Sequence, residues 1–209
     1  MSEIQEVRPV EHADLGGEPT LLVGTTSTFK WVWSDSESGS RRDVTIWRPQ
    51  PTDGYQLVGD YAQGNYNKHP NATAITVKSV NDGNSPHPIL MAPQRYVQIW
   101  KDKGSRGKHN GAIWFPEPPD GYVSLGYVAT KGFSAPKNLN YACIRRDWAR
   151  EAGVGPSVWS DAKSGADEAV TAYPIIGVSA AFVAQGNYDK WVGTAWQLNL
   201  QSAHEPELG

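Results

Sequence analysis

The sequence of 209 residues is poor in several features, and each absence narrows the range of functions. It has one cysteine, Cys143, so the fold depends on neither an internal disulfide nor an oxidising compartment. No apolar run approaches the ~20 residues that a membrane-spanning helix needs. The first 17 residues lack the basic end and apolar centre of a secretory signal. We therefore expect no transmembrane segment, and a protein that is cytoplasmic or released without a classical signal peptide.

Motifs for common catalytic chemistry are also absent from the sequence. It contains no Gly-x-Ser-x-Gly, phosphate-binding loop or dinucleotide fingerprint. The five histidines are scattered, and none has the spacing of a metal-binding pair. The formal net charge of -3 provides no overall positive field for nucleic acid. We predict a protein that is not an enzyme and that has no cofactor, no metal and no nucleic-acid partner.

The residues that are abundant favour short strands and tight turns. The chain contains 21 Gly, 15 Pro, nine Trp and nine Tyr. A motif that opens with Trp33, Trp100 and Trp159 occurs three times, and the next aromatic residue of the pattern follows fourteen positions later in each copy. Each copy then has a shared alanine and a closing strand-like segment. This internal repeat is the main signal for the fold.

Three copies of one unit predict an all-β, pseudo-threefold β-prism built from three four-stranded repeats. A β-trefoil is the alternative, because it is also triplicated. We assign an N-terminal tail and first strand to residues 1–28, a single domain to 29–200 and a C-terminal tail to 201–209. The repeats lie at about 29–80, 95–148 and 156–200. The segment IRRDWAREAG at 144–153 predicts a short helix between the second and third copies.

The segments IWRPQPTDGYQLVGDYA and IWFPEPPDGYVSLGYVA of the first two copies resemble the vacuolar protein sorting-associated protein 62 family. They are also similar to Trp-x-Pro…Gly-Tyr…Leu-Gly segments of large lipid-transfer vacuolar sorting proteins. The third copy departs from the pattern, with Tyr173-Pro174 and no Asp-Gly-Tyr turn. The resemblance implies a non-catalytic, β-prism-like module, in some members attached to or paired with membrane-active proteins. By analogy, threefold β-prisms bind sugars or lipid headgroups.

Two loops carry nearly the same polar and aromatic sequence, AQGNYNK at 62–68 and AQGNYDK at 184–190. Amides, a carboxylate and a phenol ring are suited to a hydroxyl-rich ligand, since the ring covers the apolar face of a sugar. The alternative is a tight Gly-Asn turn with the tyrosine packed sideways. The second copy has Lys131 and Phe133 here instead. The candidate ligand-binding residues are Gln63, Asn65, Tyr66, Asn67, Gln185, Asn187, Tyr188 and Asp189, with Trp191 as an exposed platform after the third-copy loop.

Two further sets of repeated residues allow two interpretations each. Asp35, Asp102 and Asp161 hold the same place in the three copies and either stabilise a turn or accept hydroxyls of a sugar. The repeated tryptophans either fill the core or stack on a ligand or membrane interface.

The sequence thus supports two functional hypotheses. The first is a lectin-like module that binds carbohydrate through the QGNY loops. The second is a module for membrane lipid headgroups, or the targeting component of a pore-forming or insecticidal toxin-like system, acting with a toxin partner or as a homo-oligomer. The second hypothesis depends on the resemblance and on a basic loop in the second copy. That loop contains Lys101, Lys103, Arg106 and Lys108.

Overall fold

The computed structural model describes residues 18–200, and this part of the chain is all-β. It contains 17 short strands and one 3-10 turn in the described range. The strands form small antiparallel sheets that repeat three times along the chain. The predicted all-β, threefold β-prism-like architecture is confirmed. The predicted tails at 1–17 and 201–209 lie outside the described residues.

The first tier of the fold consists of one three-stranded sheet from each repeat. In each sheet the strand that carries the second repeated aromatic lies in the middle, flanked by the opening Trp strand and by the strand of the shared alanine. The strands are β2 (Phe29–Ser34), β3 (Thr45–Pro49) and β5 (Tyr61–Gln63); β8 (Arg95–Lys101), β9 (Gly111–Glu117) and β11 (Val128–Lys131); and β14 (Trp159–Ser160), β15 (Thr171–Pro174) and β16 (Phe182–Gln185).

The second tier contains the closing strand of each repeat. This strand pairs with the strand that precedes the opening Trp, and in the first two copies also with a short strand after the Asp-Gly-Tyr turn. The third copy has lost that turn and forms only a two-stranded sheet. The strands are β1 (Thr20–Thr26), β4 (Gln56–Leu57) and β6 (Ala74–Val80); β7 (Leu90–Met91), β10 (Tyr122–Val123) and β12 (Cys143–Arg145); and β13 (Ala149–Ala152) with β17 (Ala195–Leu198).

The division of each repeat into two sheets differs from the predicted four-stranded unit. The chain passes from the second tier to the first at Gly59 and Gly126, which contact each other backbone to backbone. A Cβ added at Gly59 would lie 2.8 Å from the Gly126 Cα, and the Gly126 N–H donates to the Val58 carbonyl at 2.8 Å. The two segments are interrupted where their backbones touch, between the short second-tier strand and the first-tier strand that follows it. The closing strand of each repeat therefore joins a separate sheet.

The predicted helix at 144–153 is wrong. Strand β12 ends at Arg145, a 3-10 turn covers Arg146–Trp148, and β13 follows directly. Strand β13 pairs with β17 along its whole length. The ring of Trp196 lies under the Arg146 guanidinium at 4.6 Å, and the Asn199 N–H donates to the Trp148 carbonyl at 2.9 Å. Tertiary pairing therefore outweighs the helix propensity of this segment.

The core has two large parts that correspond to the two tiers. The first-tier core is centred on the three opening tryptophans. The second-tier core is aliphatic and draws on all three repeats, with Val77, Ile89, Leu125, Ile144 and Leu198 among its buried residues. A smaller cluster of buried aromatic and aliphatic side chains around Tyr141 lies mainly in the second repeat. Each tier thus buries side chains that no single repeat could cover alone.

Candidate functional site

The three opening tryptophans meet at the pseudo-threefold axis. Trp33, Trp100 and Trp159 pack edge to face, with ring centroids 5.5 to 5.7 Å apart, and each is 1% exposed. This edge-to-face arrangement places the positive edge of each ring against the face of the next. These three residues therefore fill the core, which is the first of their two predicted roles. The second repeated aromatics, Trp47 and Trp114, are also buried.

Each indole N–H of this cluster points to the aspartate loop of another repeat. The Trp159 Nε1 donates to Asp35 Oδ2 at 2.7 Å, and the Trp100 Nε1 donates to Asp161 Oδ2 at 3.0 Å. The Trp33 Nε1 donates to the His109 carbonyl at 2.7 Å and also contacts the carboxylate of Asp102. The third repeat thus bonds to the first, the first to the second and the second to the third. This closed ring joins the repeats into one unit.

The same aspartates also fix the loops in which they lie. One carboxylate oxygen of each accepts the backbone N–H nine residues further on, at Val44, Gly111 and Val170, over 2.8 to 2.9 Å. The backbone carbonyl of each aspartate accepts an N–H from the serine three residues later. Asp35, Asp102 and Asp161 are buried, so the geometry supports the turn-stabilising interpretation rather than direct contact with sugar hydroxyls.

The QGNY loops of the first and third copies are held by their own side chains. In the first copy, the Gln63 amide donates to Asn65 Oδ1 at 2.7 Å and to the Asn67 carbonyl at 3.1 Å. In the third copy, the Gln185 amide donates to Asn187 Oδ1 at 2.8 Å and to the Asp189 carbonyl at 2.7 Å. The amides that the sequence offered as ligand contacts are thus used to shape the loop.

The tyrosine of each QGNY loop links that loop to the axial aspartates. The Tyr66 hydroxyl donates to Asp35 Oδ1 at 2.8 Å, and the Tyr188 hydroxyl bonds to the Asp161 carboxylate. As whole residues, Tyr66 is nevertheless 44% exposed and Tyr188 is 56% exposed. Phe133 occupies this position in the second copy, is 38% exposed and has no hydroxyl to donate. An exposed aromatic residue therefore stands at this position in all three copies.

Two open grooves lie beside the QGNY loops, at equivalent places in the first and third copies. Groove one has a volume of about 400 Å³. Its lining comprises Trp31, Ser34, Ser36, Thr45, Trp47, Tyr66, Asn67 and Lys68. Groove three has a volume of about 440 Å³. Its lining comprises Val154, Gly155, Ser157, Tyr173, Tyr188, Asp189, Lys190 and Trp191. The Tyr, the Asn or Asp and the Lys of each QGNY loop face the same kind of groove.

Trp191 is less exposed than the sequence predicted. It is half-buried, and its ring packs 6.0 Å from that of Tyr173 at the edge of groove three. Trp31 is one of the groove residues that sequence reasoning missed. Its ring lies edge-on to His109 at 5.1 Å, and its place in the other copies is taken by Gln98 and Ser157. No repeat pattern therefore marks it, and the place of this half-buried residue in the groove is seen only in the folded protein.

The basic loop of the second copy lies at the same end of the molecule. The Lys108 N–H donates to the Ser36 carbonyl at 2.9 Å, one residue from the aspartate that binds Tyr66. The Lys108 ammonium lies 3.8 Å from Glu37, and that of Lys101 lies 4.0 Å from Glu168. Both pairs are partly open to solvent, so they hold the side chains only weakly. Lys103 and Arg106 are exposed.

The comparisons with known proteins agree with this architecture. The family model of Vacuolar protein sorting-associated protein 62 matches residues 11–205. The chain belongs to this family. A solved structure that is similar to it is "Crystal structure of GNIP1Aa from Chromobacterium piscinae", with a TM-score of 0.70 and 26% sequence identity. A search of curated proteins found no match.

The similarity to GNIP1Aa covers 81% of this chain and 33% of that one. The matched part of the present chain thus spans about a third of the length of GNIP1Aa. Membership of the Vacuolar protein sorting-associated protein 62 family and this structural similarity fit a non-catalytic module. Within residues 18–200, no helix is long and apolar enough to cross a membrane.

Replacing Trp100 with phenylalanine tests the indole–carboxylate ring. The variant Trp100→Phe leaves Asp161 Oδ2 without its indole donor, and an unmet buried acceptor costs about 1–3 kcal/mol. We expect this loss in the free energy of unfolding, measured by urea denaturation. Trp114→Phe is the matched control, because the Trp114 indole donates only to the Thr130 hydroxyl. If Trp100→Phe loses no more free energy of unfolding than Trp114→Phe does, the stabilising role of the indole–carboxylate ring is contradicted.

The three axial aspartates also predict a pH dependence. Burial raises the pKa of Asp35, Asp102 and Asp161, although the hydrogen bonds that each accepts oppose the shift. The folded protein therefore holds these protons more tightly than the unfolded chain. Each carboxyl contributes stability that is fully present below the ordinary Asp pKa and is lost as pH rises through the raised pKa. Carboxyl-carbon NMR titration is expected to give midpoints above the ordinary pKa of an aspartate side chain, and midpoints at or below that value would refute the shift.

Proposed function

We propose that the protein is a non-catalytic recognition module that binds carbohydrate in groove one and groove three. The observation that carries the proposal is the presence of two equivalent grooves, each beside a QGNY loop with an exposed tyrosine ring. An aromatic face flanked by a few polar groups is a typical lining for a sugar ring. Equivalent sites also allow one chain to bind two residues of a branched or repeated glycan, which increases avidity.

The fixed position of the tyrosine rings supports this proposal. Tyr66 and Tyr188 each reach a buried aspartate with the hydroxyl, so the ring does not have to be ordered when a ligand binds. Preorganisation of this kind lowers the entropic cost of association. The amide of Asn67, the carboxylate of Asp189 and the ammonium groups of Lys68 and Lys190 supply polar groups beside the rings.

The roles of the candidate QGNY residues can now be separated. Tyr66, Asn67, Tyr188 and Asp189 line the grooves and are proposed to contact the ligand. Gln63, Asn65, Gln185 and Asn187 are proposed to act indirectly, because their amides hold the loops. Loss of binding on substitution of Asn65 or Asn187 would therefore report on loop shape as much as on contact.

The test compares two double variants of the groove tyrosines. Tyr66→Ala with Tyr188→Ala removes both rings, and we expect binding on a glycan array to fall at least tenfold. Tyr66→Phe with Tyr188→Phe keeps the rings, and Phe133 in the second copy indicates that the fold accepts phenylalanine there. This variant is expected to bind more tightly than the alanine variant but more weakly than the unchanged protein, because it keeps the rings and loses the hydroxyl bonds that fix them. The free saccharide should compete with the array signal of the unchanged protein.

Two results would refute the carbohydrate proposal. One is the absence of any glycan signal that a free saccharide displaces. The other is a folded alanine double variant that binds the same glycan with unchanged affinity. Circular dichroism in the aromatic region provides the check on folding, because the clustered tryptophans give a signal that depends on their packing.

A second candidate function is attachment to anionic membranes, as the targeting part of a toxin-like system or as a headgroup-binding module. One specific observation favours it: the basic loop and the three exposed rings lie at the same end of the molecule. Aromatic rings are suited to the membrane interface, and nearby lysine and arginine are attracted to anionic headgroups. In this case the module would act together with a toxin partner or with further copies of itself.

Sedimentation with phosphatidylserine liposomes at low salt tests this second function. We expect Lys103→Glu with Arg106→Glu to abolish sedimentation, since each basic residue near an anionic surface contributes about 1 kcal/mol. The control, Lys78→Glu with Arg150→Glu, makes the same change of charge on second-tier strands. The membrane function would be excluded if the unchanged protein stayed in the supernatant, or if both double variants lost binding equally.

A further inference from the structure

A fourth Asp-x-x-Ser turn lies outside the three axial loops. It follows strand β6, where the Ser85 N–H donates to the Asp82 carbonyl at 3.1 Å and the His87 N–H donates to the Ser85 hydroxyl at 3.2 Å. The turn from Asp35 to Ser38 has the same two bonds, at 3.0 and 3.2 Å. The Asp82 Oδ2 accepts the Ile89 N–H at 2.5 Å, much as the axial aspartates accept a later backbone N–H.

The fourth turn differs from the others in the second carboxylate oxygen. In the axial loops, an indole or phenol group donates to the carboxylate from another part of the chain. The Asp82 Oδ1 is buried and has no hydrogen-bond partner among the described residues, and the residue as a whole is 6% exposed. A buried carboxylate oxygen with no partner is costly, and in native proteins it is normally met by a donor, by water or by a cation.

Asp82 is surrounded by side chains that carry oxygen atoms and by few that carry a positive charge. A depression of about 350 Å³ is lined by Ser79, Asn81, Asp82, Gly83, Ser85 and Pro88. The guanidinium of Arg145 lies in this region, but it donates to both oxygens of Asp147 at 2.7 and 2.9 Å and to the His87 carbonyl. Its charge is therefore already balanced by Asp147.

We propose that this depression is a binding site for a hard divalent cation, with Ca²⁺ as the best match. The Asp82 carboxylate would supply the charged ligand, and the Asn81 amide oxygen and the Ser79 and Ser85 hydroxyls supply neutral oxygens. Neither histidine nor cysteine lines the depression, which disfavours Zn²⁺. Ca²⁺ tolerates irregular coordination completed by water, whereas Mg²⁺ requires a near-octahedral site.

One carboxylate gives a weak site, so the expected dissociation constant is about 10⁻⁴ to 10⁻³ M. Binding would satisfy Asp82 Oδ1 and fix the connection between the first repeat, which ends with β6, and the second, which begins with β7. The site is separate from groove one and groove three. Its presence or absence therefore does not depend on the carbohydrate proposal.

The test is a CaCl₂ titration of the chelator-treated full chain, followed by NMR and calorimetry. We expect saturable binding at one site, with the largest amide shifts between residues 79 and 89. Asp82→Asn is expected to weaken binding at least tenfold, since it removes the only charged ligand. Asp120→Asn is the matched control, because it alters another Asp-Gly turn whose carboxylate is exposed. It is expected to leave Ca²⁺ binding unchanged.

A second measurement decides the matter if Asp82→Asn does not fold. Tb³⁺ bound beside Asp82 should be sensitised by Tyr122, whose hydroxyl donates to the Pro88 carbonyl at 2.5 Å, and Ca²⁺ should displace the emission. The proposal is overturned by the absence of saturable binding up to about 10 mM Ca²⁺, well above the weak calcium sites of known modules. Shifts centred elsewhere, or equal binding by folded Asp82→Asn, would overturn it as well.

Discussion

The buried ring of indoles and carboxylates on the pseudo-threefold axis is the interaction on which the rest of the structure depends. Each small sheet is too short to be stable alone, so the repeats must be joined through side chains. Trp100 and Trp159 donate across repeat boundaries to Asp161 and Asp35 at 3.0 and 2.7 Å. Backbone bonds join the same pairs of repeats in the opposite direction, with N–H groups of Arg41, Lys108 and Asp167 donating to the carbonyls of Ala162, Ser36 and Lys103.

The ring also determines the shape of the candidate binding surface. Asp35 accepts an indole N–H from inside the core and the Tyr66 hydroxyl from outside it. The aspartate therefore couples the packing of the tryptophans to the position of an exposed ring beside groove one. Asp161 makes the equivalent link to Tyr188. A site built in this way is preorganised, because its aromatic faces are fixed by buried bonds rather than by the ligand.

The sequence predicted those features that repeat, and it failed where contacts between distant segments decide the outcome. The spacing of Trp33, Trp100 and Trp159 predicted the threefold all-β fold, and it left open whether these side chains fill the core or contact a ligand. The same spacing could not reveal that closing strands join separate sheets, or that 144–153 pairs with β17 instead of forming a helix. The amides of Gln63 and Asn65 suggested contact with a ligand. In the folded protein they bond to each other, which the sequence alone does not show. The unpaired oxygen of Asp82 likewise depends on which donors the fold leaves out of reach.

The most direct test of the central claim is a crystal structure of the protein with a saccharide identified by array and competition. The account predicts one sugar residue in groove one and one in groove three, each stacked on the ring of Tyr66 or Tyr188. The corresponding place in the second copy, beside Phe133, should remain empty, because that loop lacks the Gln-Asn-Tyr arrangement. A saccharide bound at any other surface, with both grooves empty, would contradict the account.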